Sequence, residues 1–100
     1  MDPDLSDLTI ADVVTSTAGR DAGELFYVIE IAEPFLFLAN GKDRSLEQPK
    51  RKKRKHTRKV LRSETRVAEK LRLGDKVLNS ELRRDLAYFG REMQSNNLGG

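Results

Sequence analysis

The stretch "VVTSTAGRDAGELFYVIEIAEPFLFLANG", residues 13–41, decides the fold. It holds three runs of β-branched and aromatic residues, "VVT" at 13–15, "ELFYVIEI" at 24–31 and "FLFLA" at 35–39. Such residues favour the pleated, half-buried surface of a strand. The gaps between the runs are turn formers. "AGRDAG" at 18–23 is glycine-rich, "AEP" at 32–34 puts Pro34 at a turn position, and Asn40-Gly41 is the strongest short hairpin signal. The reading is three strands joined by tight antiparallel turns, with room for a fourth in "SLEQPKRKKRKHTRKV" at 45–60. The second and third strands are apolar on both faces: Tyr27, Ile29 and Ile31 alternate with Phe26 and Val28, and Phe35 and Phe37 with Leu36 and Leu38. A small one-layer sheet ordinarily keeps one face polar. The second face therefore needs a cover, either closure into a barrel or packed helices.

Helices are available downstream. Ser63 can N-cap "ETRVAEKLRL", in which Val67 and Leu71 form an i, i+4 pair and Gly74 is a stop. Asn79 or Ser80 can cap a second helix whose Leu82, Leu86, Phe89 and Met93 recur at helical spacing, with Arg83, Arg84 and Arg91 off that stripe. The stripe is expected to pack on the sheet. The other use for it is a groove on a partner protein. "SNNLGG" at 95–100 reads as a frayed tail, and no internal repeat is present.

One hundred residues suit a single domain. Hydrophobic content of 37% is low and charged content of 35% high, so the core is small. No run approaches the ~18 uninterrupted apolar residues of a membrane span. The best candidate, 25–39, is broken by Glu30, Glu33 and Pro34. Residues 1–10 form an acidic leader with Asp2, Asp4 and Asp7, unlike a signal or transit peptide. The absence of cysteine excludes disulfides and thiolate chemistry and fits a cytoplasmic location.

Net charge of +3 conceals an asymmetry. Residues 1–41 carry one Arg against eight acids, 42–62 carry eleven Lys or Arg against two, and 63–100 carry seven against six. Eight of the ten residues 50–59 are Lys or Arg. A positive field confined to one fifth of the chain is the footprint of a phosphate-binding face. "PKRKKRK" at 49–55 also has the form of a nuclear address signal, and a merely solvated charge run is the third reading. In extended form, Lys50, Lys52 and Arg54 would face one side and Arg51, Lys53 and Lys55 the other. The inward row would have to escape the core, so part of the run is expected to be loop.

The strand "VVTST", the turn "AGRDAG" with Gly19 and Gly23, and the strand "YVIEI" together resemble the KOW family of small SH3-like β-barrels. The likeness is to the large-subunit ribosomal proteins of archaea and eukaryotes and to their bacterial RNA-binding relatives. It continues through "FLFLANGKDRSLEQPKRKKRKH" at 35–56 and covers about residues 11–60. Two departures stand out. Many KOW barrels carry cations at the positions of Ala22 and Glu24, and many place a Gly where this chain has Ala11-Asp12. The resemblance implies a mainly β fold, a small SH3-like barrel over 11–62 bearing the basic arm at 50–59; the helical spacing read above adds a helical extension over 63–94. The resemblance also implies RNA binding, with ribosomal RNA of the large subunit as the partner. Lys50, Arg51, Lys52, Lys53, Arg54, Lys55, Arg58 and Lys59 are the expected phosphate contacts. Gly19 and Gly23 would bring backbone N–H groups to a phosphate, and Arg20 would add its planar donor fork. Tyr27, if solvent-facing, would stack a base.

Nothing in the chain suggests an enzyme. His56, the one histidine, lies in the basic run with no nucleophile or carboxylate beside it. No metal-ligand spacing, P-loop or dinucleotide fingerprint is present, and neither a cofactor, a small-molecule substrate nor a membrane is expected. The rival reading is a protein-interaction module that docks on a ribosomal or transcription-machinery protein through the barrel and the C-terminal helix.

Overall fold

A computed structural model describes residues 8–99, the side chains of 95–99 excepted. Asp2, Asp4 and Asp7 of the leader lie outside the described residues. The three runs read as strands are β1 (Asp12–Ser16), β2 (Leu25–Ala32) and β3 (Phe35–Ala39). The basic run supplies two more, β4 (Lys50–Lys53) and β5 (Thr57–Arg62), joined by a single 3₁₀ turn at Arg54–His56. All pairings are antiparallel, in the order β4-β3-β2-β1-β5. The protein is thus mainly β, an open five-stranded sheet with two helices. The polybasic run is part of that sheet, where an appended arm was expected.

The connectivity forces curvature. Strands lie about 4.8 Å apart, so the edges of a flat five-stranded sheet would be about 19 Å apart. Yet β4 and β5 are those edges, and only three residues separate them in sequence. Three residues of 3₁₀ helix rise about 6 Å, and the fully stretched chain from Lys53 to Thr57 reaches about 15 Å. The sheet must curl until its edges approach. Register shifts between Val13 and Val14 and between Val28 and Glu30 supply bends of the kind bulges introduce.

Curling divides the apolar residues into two cores. Val14, Phe26, Val28, Leu36 and Leu38 fill the inside of the curl. Val13, Tyr27 and Ala39 face outward and meet Val67, Ala68, Leu82 and Leu86 of the helices. The strands are apolar on both faces because the inside of the curl holds one core and the helices cover part of the outside.

The first helix, α1 (Arg66–Leu73), is capped by Thr65, whose Oγ1 accepts from the Ala68 N–H, and not by Ser63. Ser63 is buried, with its hydroxyl 2.9 Å from the Tyr27 hydroxyl. Gly74 ends α1 in the left-handed conformation, as the sequence indicates. The second helix, α2 (Asn79–Gly99), continues through most of the stretch expected to fray. Its first turn is closed by Glu81, which reaches back to the Leu78 N–H at 3.0 Å, half of a capping box. Asn79 is not the cap. It accepts from the Leu46 N–H at 2.8 Å and donates to Glu47 at 2.9 Å. A polar knot fastens sheet to helices: Tyr27 Oη and Thr65 Oγ1 each donate to Asp85 Oδ2 at 2.6 Å. Burial and then the Asp85 carboxylate push the Tyr27 hydroxyl up to about 12.

Asn40-Gly41 is not a two-residue hairpin. Ten residues separate β3 from β4, and Asn40 organises them: its Oδ1 accepts from the N–H groups of Lys42 and Arg44 and its Nδ2 donates to Asp43. This draws the Asp43 carboxyl below its usual range. Gly41, at φ +75°, lies against α2, and Arg83 donates to its carbonyl at 2.6 Å.

Candidate nucleic-acid interface

Strand alternation sorts the basic run into two populations. On β4, Lys50 and Lys52 point into the curl beside Leu38 and Leu36, while Arg51 and Lys53 point out beside Phe37 and Phe35. Inward cations are tolerable only if paired. The partner is Asp21, from the "AGRDAG" turn. Its two carboxylate oxygens take the ammonium groups of Lys50 at 2.6 Å and Lys52 at 2.9 Å, and the Ser16 hydroxyl donates to it at 2.9 Å. Burial alone would raise the Asp21 carboxyl, but these hydrogen bonds prevail and hold it well below the usual carboxylate range.

Lys52 also donates to Ser16 Oγ at 2.6 Å and to the Ala18 carbonyl at 2.8 Å. An ammonium has three donors, so with Asp21 its capacity is filled and none remains for a phosphate. Lys59 lies 3.5 Å from the fully buried Asp12. Arg54 grips Glu33 through Nε and Nη2. Of the eight expected contacts in the run, Lys50, Lys52, Arg54 and Lys59 are therefore held by acids of the same chain.

The other four, Arg51, Lys53, Lys55 and Arg58, are exposed. Among the described residues Lys53, Lys55 and Arg58 form no ion pair or side-chain hydrogen bond. Arg51 lies over the Phe35 ring, its Cζ 4.5 Å from the centroid. Arg20 is exposed on its turn and likewise unpaired among the described residues. Contacts tie together the segments that carry some of these charges. The Thr17 N–H donates to the His56 carbonyl at 2.9 Å, Thr15 pairs with Arg58, and Asp21 ties Arg20's turn to β4.

The turn differs from its expected role in one respect. The Gly23 N–H donates to the Ser16 carbonyl at 2.8 Å, so it is not offered to a phosphate. Tyr27 is fully buried, and base stacking on it is ruled out. Reading the residues in order missed Phe35 and Phe37. Both are only half-buried and belong to neither core, although they read as core residues in sequence. On α2, Leu82 and Leu86 are buried, Phe89 packs against the outer core and Met93 is exposed, so most of the stripe is occupied inside the molecule.

Among the described residues no helix is long and apolar enough to cross a membrane, and no three metal-ligating side chains gather. No protein-family model matches the chain, and no curated protein matches it significantly.

Proposed function

We propose that this is an RNA-binding, ribosome-associated protein of the cytoplasm, a KOW-type SH3-like barrel that contacts structured RNA, with large-subunit ribosomal RNA as the target. The observation that carries the reading is the sorting of the basic run. Acids of the chain take the inward cations, while Arg51, Lys53, Lys55, Arg58 and Arg20 stay exposed. Exposed like charges held together on a rigid sheet raise the local potential, and a polyanion relieves it. The curl demanded by the β4–β5 connection agrees with a small barrel. Burial of the Leu82 and Leu86 stripe leaves less of α2 for the rival use of docking on a protein. A-form RNA suits the site because it is recognised mainly by shape and backbone.

If the five exposed cations each neutralise a phosphate, log K against log salt should have a slope of roughly −3.5 to −4.5. Replacing Lys53, Lys55 and Arg58 with Gln should reduce that slope by about 2 to 3 and leave the melting temperature nearly unchanged. Lys52→Gln should do the reverse, lowering stability with little effect on slope. An unaltered slope in the triple variant would remove the assignment. Sedimentation of the protein with large subunits, reversed by salt and by RNase, tests the ribosomal target.

A further inference from the structure

The outer face of the sheet is apolar along β3, but the helices cover only part of it. Ala39 and Tyr27, paired across β3 and β2, lie under α1 and α2. Two and four residues back along β3, Phe37 and Phe35 share that face and pack into neither core. Their neighbours on β4 are Arg51 and Lys53, and on β2 Glu30 and Ala32, all exposed. Arg51 crosses diagonally to lie over Phe35, so its guanidinium plane extends the aromatic surface. Beside Lys53 a depression of about 330 Å³ opens between Glu33, Pro34, Lys53, Arg54 and Lys55. Ligand sites begin at about 300 Å³.

We propose that this uncovered end of the face takes an unpaired nucleotide of a single-stranded RNA segment. Its base stacks on Phe37 and on the Arg51 guanidinium, and its phosphates lie toward Lys53 and Lys55. Charge decides the occupant. An apolar peptide would leave two cations beside the rings unanswered, whereas a nucleotide brings a π-face and a phosphate at adjacent positions. Glu30, on the β2 side, repels the backbone and sets it toward β4. The site rests on the RNA reading above and sharpens it: a loop or bulge with a splayed base is preferred over a continuous duplex.

The test is titration of the full chain, by fluorescence anisotropy, with a single-stranded RNA of about 12 nucleotides and an RNA duplex of about 16 base pairs. Phe37→Leu keeps the apolar bulk and loses the ring face, while Arg51→Lys keeps the charge and loses the plane. Each should weaken the single strand by about 5- to 100-fold; Phe37→Leu should leave duplex binding within about twofold, and Arg51→Lys, which keeps the charge, should leave the salt slope unchanged. Arg51 is on the surface, so its variant decides the matter even if Phe37→Leu folds poorly. Duplex binding by the parent with single-strand binding unmoved in Arg51→Lys would overturn the stacking site and leave the phosphate reading intact. Equal loss on both RNAs would also overturn it, and an RNase-resistant partner lost in Phe37→Leu would give the face to a protein instead. If the parent binds neither RNA, both readings fall.

Discussion

The ammonium of Lys52 has three acceptors within 3 Å, whereas that of Lys53, one residue on, is exposed to solvent. Identical side chains thus have different roles, set by strand alternation and by Asp21 on the inner side. Removing Asp21 leaves two inward charges uncompensated, so Asp21→Asn should cost about 3 kcal/mol at neutral pH, read from urea denaturation. The carboxyl also gives the fold a pH dependence of definite sign. Its folded value is depressed, so its contribution is fully present above the unfolded value of about 3.9. That contribution declines as pH falls below this point and through the depressed folded value. In the parent protein, Asp21 should remain ionised where an ordinary aspartate is half protonated, as followed by carboxyl-carbon NMR, and stability should fall over the same acidic window. Titration at the ordinary value would mean the lysines do not hold it. Ala11 shows the same dependence on surroundings. It is buried at φ +70°, in the conformation glycine usually takes.

At the scale of elements, the connection between β3 and β4 shows what local signals leave out. Asn40-Gly41 has the chemistry of a two-residue hairpin, and nothing nearby reveals that Asn40 will hold a ten-residue loop. The reason lies 38 residues further on. A Cβ on Gly41 would sit 2.1 Å from the Asn79 carbonyl oxygen, so α2 approaches the loop closely enough to require glycine. Gly41→Ala should therefore cost about 2 to 5 kcal/mol, the left-handed backbone and the overlap acting together. A thermal melt within a degree or two of the parent would show that the helix can retreat. The first three strands were legible because their residues alternate and their breakers are local. Lys50–Lys53 lay in the stretch with room for a fourth strand but read as part of a basic arm, because four consecutive cations suit a sheet only once an acid 29 residues away has taken the inward pair. The α1 cap was misread for a similar reason: the Ser63 hydroxyl faces Tyr27, 36 residues earlier.

Across the whole molecule, the candidate site was legible as a quantity of charge but not as a surface. Its location follows from β4 and β5 being the opposite edges of one curled sheet, which needs the complete strand order. Phe35 and Phe37 read as core because they alternate with core residues; only the extent of the helices shows that they are half-buried and belong to neither core. The same topology governs proteolysis. Residues 50–59 contain eight bonds that trypsin favours, and in an unfolded basic tail these would be the first cut. Here β4 is paired to β3 and β5 to β1, so fitting the run into a protease cleft means detaching both edges of the sheet together. Scission within the run should keep pace with global unfolding, while the exposed Lys76, between the helices, is cut earlier. Mass spectrometry of a brief tryptic digest should find the most cleavable-looking segment of the chain among the last to be cut.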